Sequence, residues 1–112
     1  MSPITTHVLD VARGVPAQGI NVRLELKDKS GWKTLAEDMT DADGRARELL
    51  DEGAKLEHGT YRLTFQTGEY FKHQKAKGFF PLVEITFDVT ESRHYHVPLL
   101  LSPFGYSTYR GS

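Results

Sequence analysis

The chain contains no cysteine. Disulfides, thiolate metal sites and cysteine nucleophiles are therefore excluded. It also lacks a charge surplus: 14 Lys and Arg stand against 15 Asp and Glu, for a net charge of −1. A protein that neutralises phosphates needs a basic excess, so a nucleic-acid partner is not expected. No apolar run approaches the roughly 20 residues of a membrane span, and no membrane partner is expected. The opening stretch lacks a basic segment followed by an apolar one, so no signal peptide is expected. The last three residues are not Ser-Lys-Leu, the peroxisomal address. The cytoplasm is the expected compartment. Internal repeats, linkers and low-complexity segments are missing too.

What is present is a foldable chain of 112 residues, 38% hydrophobic and 26% charged. That balance suits a globular domain, and the length suits a single one spanning residues 1–112. A chain of this size has a modest core and often gains by associating.

Hydrophobic alternation dominates. In Ile4 to Asp10, Thr5, His7 and Leu9 share one face of a strand; Ile4, Thr6 and Val8 share the other. Arg13 to Ala17 reads as a turn. Val22, Leu24 and Leu26 alternate with Arg23, Glu25 and Lys27, a strand with one wet face. Asp28 to Gly31 is a hairpin turn, and Trp32 to Met39 the return strand. Thr40 to Arg45 is a turn whose Asp43-Gly44 step supplies a positive φ. A calcium loop fails there: an EF-hand register puts Met39 at the first ligand position and Leu50 at the last. Tyr61, Leu63 and Phe65 mark another strand. Thr67 to Lys77 is the one helical stretch, with Thr67 as its cap, Glu69 in the first turn, and Lys75 and Lys77 in the last. Strands follow over 83–89, His94 to Leu101 and Phe104 to Arg110. Seven or eight short strands and one short helix imply an all-β sandwich.

Histidine carries the main chemical potential. His58 falls in a loop and His73 in the helix, both read as solvent-facing. His94 and His96 sit two apart on a strand and so share a face. Three readings stay open: exposed structural histidines, a zinc site completed by His7, or metal-free acid–base catalysis near neutral pH. The terminus, Tyr109-Arg110-Gly111-Ser112, is too aromatic for a disposable tail. A guanidinium at Arg110 suits a planar, carbonyl-rich ligand. Ser112 is a poor nucleophile, because no Gly-x-Ser-x-Gly elbow is present.

Three stretches together resemble one family. They are Thr6-His7-Val8-Leu9-Asp10 with Gly14-Val15-Pro16-Ala17; Thr40-Asp41-Ala42-Asp43-Gly44-Arg45; and His94-Tyr95-His96-Val97-Pro98-Leu99-Leu100 running to Tyr109-Arg110-Gly111-Ser112. The chain resembles the 5-hydroxyisourate hydrolases, the transthyretin-related enzymes of purine breakdown, over nearly its whole length. The terminal Tyr-Arg-Gly-Ser is the most specific mark. The resemblance to this family implies a transthyretin-like β-sandwich of two four-stranded sheets with one short helix. It implies a homotetramer, a dimer of dimers, with sites in the central channel. It implies His7, Arg45 and His96 as the catalytic set, with no metal and no cofactor. His7 and Arg45, with Tyr109, Arg110, Gly111 and Ser112, would contact the substrate, 5-hydroxyisourate. His94 matches a common family position and receives no catalytic role. The rivals are a transthyretin-like carrier of a small aromatic ligand, a zinc hydrolase, and a purely structural sandwich domain.

Overall fold

A computed structural model describes residues 2–112; Met1, the first residue of the expected domain, lies outside the described residues. Among the described residues, nine strands form two sheets, and one helix lies between the sixth and seventh strands. In the first sheet β1 (Ile4–Asp10) runs parallel to β8 (Tyr95–Ser102), and β8 pairs antiparallel with β9 (Gly105–Thr108). The other edge of β1 is shared by two short pieces, β2 (Val15–Pro16) and β5 (Arg45–Ala46). Leu9 and Asp10 pair with β2, while Thr6 and His7 pair with β5. End to end, these pieces occupy the place of one strand. That is why the sheet counts five strands while keeping the width of four. The second sheet has the order β4 (Gly31–Met39), β3 (Asn21–Asp28), β6 (Gly59–Phe65), β7 (Val83–Val89), all antiparallel.

The alternation read from the sequence decides which faces meet. Ile4, Thr6, Val8 and Asp10 of β1 are buried, while Thr5, His7 and Leu9 are only half-buried. Ile4 and Val8 meet Val97, Leu99 and Leu101 of β8 in the core, with Val22, Leu24, Leu63 and Phe65 from the second sheet. Such burial of apolar surface is the main force holding the two layers together. The outer face of β1 is thus left as a platform, and the residues on it are free to do chemistry.

The helix is shorter than its sequence pattern suggests. α1 covers Thr67–His73, and Lys75 and Lys77 lie beyond it. Gln66, not Thr67, is the N-cap residue, and it makes no side-chain cap bond. Lys75 takes a φ of 56°, which ends the helix. Tyr70 and Phe71 bury the one apolar patch, and the Tyr70 hydroxyl donates to Asp10 Oδ2 at 2.7 Å. No helix among the described residues is long and apolar enough to cross a membrane.

The turn before Arg45 depends on Gly44. Its φ is +77°, and a Cβ there would collide with the Val8 carbonyl oxygen. Its own carbonyl accepts from the Val8 N–H at 2.7 Å, seating the turn against β1. Gly44→Ala adds both a left-handed strain and a clash, each worth about 1–3 kcal/mol. Thermal melting is expected to fall by roughly 10 °C or more; an unchanged midpoint would show that the turn is not held this way.

Candidate active site

The site grows from strand register. β1 lies between β5 and β8, so side chains directly opposite on the three strands share one face. His7 stands opposite Arg45 on one side, and Thr5 opposite His96 on the other. Neighbouring strands are about 4.8 Å apart. His7 and His96 are diagonal neighbours, with about 8 Å between their backbones. Arg45, His7 and His96, scattered along the chain, therefore meet on the outer face of one sheet.

The terminus completes the arrangement. After β9 the chain turns back over β8, and the Gly111 N–H donates to the His96 carbonyl at 2.9 Å. A Cβ at Gly111 would lie 2.6 Å from His96 Cδ2. Only glycine lets the terminus lie this close to the imidazole. Ser112 then lines a cavity of about 380 Å³ together with Thr5, Arg45, Arg47, His94 and His96. That size suits a small flat heterocycle.

Hydrogen bonds set the histidines. His7 Nε2 lies 2.8 Å from the Asp43 carbonyl oxygen. A carbonyl only accepts, so Nε2 carries the proton and Nδ1 is left for other work. Thr5 Oγ1 lies 2.8 Å from His94 Nε2 and 2.8 Å from His96 Nδ1. The His94 and His96 rings stack 6.2 Å apart at 23°. Burial pushes the His96 pKa below the usual 6.5, and the charges of Arg45, His94 and His7 push it further the same way; a hydrogen bond with the Thr5 backbone works in the opposite direction. His96 is thus neutral at pH 7, with the Arg45 charge among the causes that keep it so.

Arg47 was not singled out by the sequence pattern, although it sits two residues from Arg45. Its Nε donates to Asp41 Oδ2 at 2.8 Å and its Nη2 to Asp43 Oδ2 at 3.1 Å. The bond to Arg47, more than any other cause, holds the Asp41 carboxyl below its ordinary pKa. Asp41 Oδ1 in turn accepts from the Asp43 and Arg45 backbone N–H groups. The turn is therefore a braced support for both Arg45 and the Asp43 carbonyl that fixes His7. Thr5 was placed correctly on the His7 face, but its bonds to two histidines depend on a strand pairing that sequence alone does not disclose.

Tyr109 and Arg110 stand apart from the cavity of Arg45 and His96. Arg110 packs over the Tyr95 ring at 4.3 Å and lies 3.9 Å from Glu91 Oε1. Tyr109 is 58% exposed. Both line a second hollow of about 270 Å³, which His96 also borders. His58 and His73 are exposed, as expected. Among the described residues, no group of three His, Cys, Asp or Glu side chains is placed to hold a metal ion.

The fold and this face define a two-sheet sandwich of transthyretin type with a cavity lined by imidazole and guanidinium. The chain belongs to the HIUase/Transthyretin family, whose model matches residues 4–111. It is 50% identical over 120 residues to the 5-hydroxyisourate hydrolase of Caulobacter vibrioides, covering 100% of both chains. It is 48% identical to the uric acid degradation bifunctional protein TTL of Arabidopsis thaliana, where 98% of this chain spans 37% of the relative. Among solved structures, Klebsiella pneumoniae 5-hydroxyisourate hydrolase matches with a TM-score of 0.85 at 38% identity, covering 97% of this chain and 98% of that one. Sea bream transthyretin in complex with thyroxine matches with a TM-score of 0.90 at 34% identity, covering 97% and 94%.

Proposed function

We propose that this chain is a 5-hydroxyisourate hydrolase. It opens the six-membered ring of the urate oxidation product at an amide bond, giving 2-oxo-4-hydroxy-4-carboxy-5-ureidoimidazoline. The observation that carries this reading is that Arg45 and His96 line one cavity of suitable size, with His7 outside that lining but on the same face of the sheet. Enzyme and carrier relatives share the sandwich, so the backbone does not discriminate between them. The side chains at the cavity favour the enzyme, because Arg45, Arg47, His94 and His96 bring charge and proton-transfer groups that holding an apolar ring does not require. Acceleration of 5-hydroxyisourate decay by the purified protein tests the reading; unaltered decay would return the odds to a carrier.

In this reading His96, neutral at pH 7, accepts a proton from water as the oxygen attacks the ring carbonyl. Arg45 stabilises the negative charge that develops on that carbonyl oxygen. His7, its Nε2–H staying on the Asp43 carbonyl, takes a proton from solvent on Nδ1 and passes it to the departing nitrogen. No covalent intermediate, metal or cofactor is needed. Ser112, brought there by Gly111 packing on His96, closes one wall of the site. Arg110 and Tyr109 face away from the cavity of their own chain, so a substrate clamp by them needs a neighbouring copy. That agrees with a homotetramer, a dimer of dimers, whose sites face a shared channel. The chain acts as one domain, and the cytoplasm is its place of work.

His7→Ala is expected to lower turnover by about a hundredfold or more, the usual size of an acid–base contribution. Steady-state rates at matched folded concentration would decide; near-normal turnover removes His7 from the mechanism. The pH profile offers a separate check. His96 acts as a base only when neutral, and its pKa lies below 6.5. Activity should therefore be retained on going down to pH 6.5 and be lost in more acid solution. A fall in kcat/KM centred above pH 6.5 would contradict a neutral His96 base.

A further inference from the structure

His94 has no part in the chemistry described so far, yet it is joined to His96 through a single hydroxyl. Thr5 stands directly opposite His96 in the β1–β8 register. Its Oγ1 is 2.8 Å from His94 Nε2 and 2.8 Å from His96 Nδ1. A hydroxyl has one proton and two lone pairs, so it donates to at most one imidazole and accepts from the other. When it donates to one of them, the three groups form a directed chain and the tautomers of the two histidines are tied together. In one direction His96 Nδ1–H donates to Thr5, and Thr5 donates to His94 Nε2. His96 Nε2 is then a lone pair available to the cavity. In the other direction His96 carries its proton on Nε2 and has no base to offer.

We propose that Thr5 and His94 are positioning residues that form a proton relay behind His96, holding it in the Nδ1–H form and drawing that proton away as Nε2 takes one from water. This deepens the hydrolase reading and, for its catalytic part, rests on it. The steps balance. The water O–H bond breaks and His96 Nε2–H forms; the hydroxide oxygen adds to the carbonyl. His96 Nδ1–H breaks as Thr5 Oγ1 gains that proton, and the Thr5 proton passes to His94 Nε2. His96 ends neutral in its other tautomer, and the positive charge rests on His94. His94 borders the cavity, from which it can return the proton to solvent. The relay explains how a base can work where a cation is unwelcome. His96 faces Arg45 on β5, His7 on β1 and His94 just before its own strand, and it is partly buried. Charging it there is unfavourable, and the relay moves the charge on.

Two readouts test this on the full chain. The first is nitrogen-15 NMR of the imidazoles at pH 7, which reports which nitrogen bears the proton. Wild-type His96 should carry it on Nδ1. Thr5→Val, which keeps the β-branched shape and removes the hydroxyl, should return His96 to the Nε2–H form that free imidazole side chains prefer. The second is kinetic. Thr5→Val and His94→Phe should each lower kcat about tenfold or more with KM nearly unchanged. Thr5→Ser should restore most of the rate, and the Thr5→Val/His94→Phe pair should lose no more than either alone. An Nε2–H tautomer for His96 in the wild type would overturn the relay, whatever the variants do. So would wild-type kcat in Thr5→Val. A protein showing the wild-type tautomer but no turnover of 5-hydroxyisourate would refute the hydrolase reading and leave the relay standing.

Discussion

His96→Asn is expected to lower kcat by a factor of about a hundred to ten thousand, the range of a lost acid–base group. Asparagine is smaller than histidine, so it fits under Gly111, where a Cβ would lie 2.6 Å from the ring. Its side chain retains hydrogen-bonding groups for Thr5. What it cannot do is accept a proton from water. The loss should therefore fall on kcat, with KM little altered, because the walls contributed by Arg45 and Ser112 stay in place. Circular dichroism and melting should match the wild type. A variant that keeps near-normal kcat would show that water is activated elsewhere, with His7 the first alternative.

Arg45→Met should lower kcat by roughly a hundred to a thousandfold, the usual cost of removing one charge-stabilising donor from an oxyanion site. Methionine keeps the length of the stem on β5 and deletes the guanidinium. A second effect separates this from a simple packing defect. After burial, the Arg45 charge is the next largest cause that lowers the His96 pKa. Deleting that charge should move the pKa back up toward 6.5, so the acid limb of kcat/KM should shift to higher pH. Arg45→Lys keeps a positive charge but not the planar, two-pronged donor. It should leave the acid limb nearly in place and recover only part of the rate. A large rate loss with no movement of the limb would mean that Arg45 is not electrostatically coupled to His96.

The features legible from sequence were those written in side-chain period. β1 and β7 were read with their observed bounds because strict alternation ran from end to end. The outward set Thr5, His7 and Leu9 followed from the same period. β2 and β5 were not, because two residues carry no period; they exist only as partners of β1. The helix is shorter than its pattern because Lys75 and Lys77 beyond it imitate a last turn, while the real stop is the backbone of Lys75. The same divide runs through the site. His7, Arg45 and His96 were singled out by family resemblance, and period placed His7 outward. Their meeting is a matter of register: β1 pairs parallel with β8, a long-range choice that no local pattern discloses. The Asp43 carbonyl that orients His7 is backbone, and so was invisible by residue type. Arg47 carries no signal in its local sequence; its bonds to Asp41 and Asp43 make it the brace of the Arg45 turn. Arg110 matched the family motif but rests on Tyr95, outside the cavity of its own chain.

The most direct measurement generates 5-hydroxyisourate from urate with purified urate oxidase and follows its absorbance decay in EDTA. Wild type and His96→Asn are compared at equal folded concentration. Wild type should hasten the decay in proportion to its concentration and turn over many equivalents, and His96→Asn should fall near the uncatalysed rate. Equal decay with and without wild-type protein, or equal acceleration by both proteins, would contradict a metal-free hydrolase working through His96.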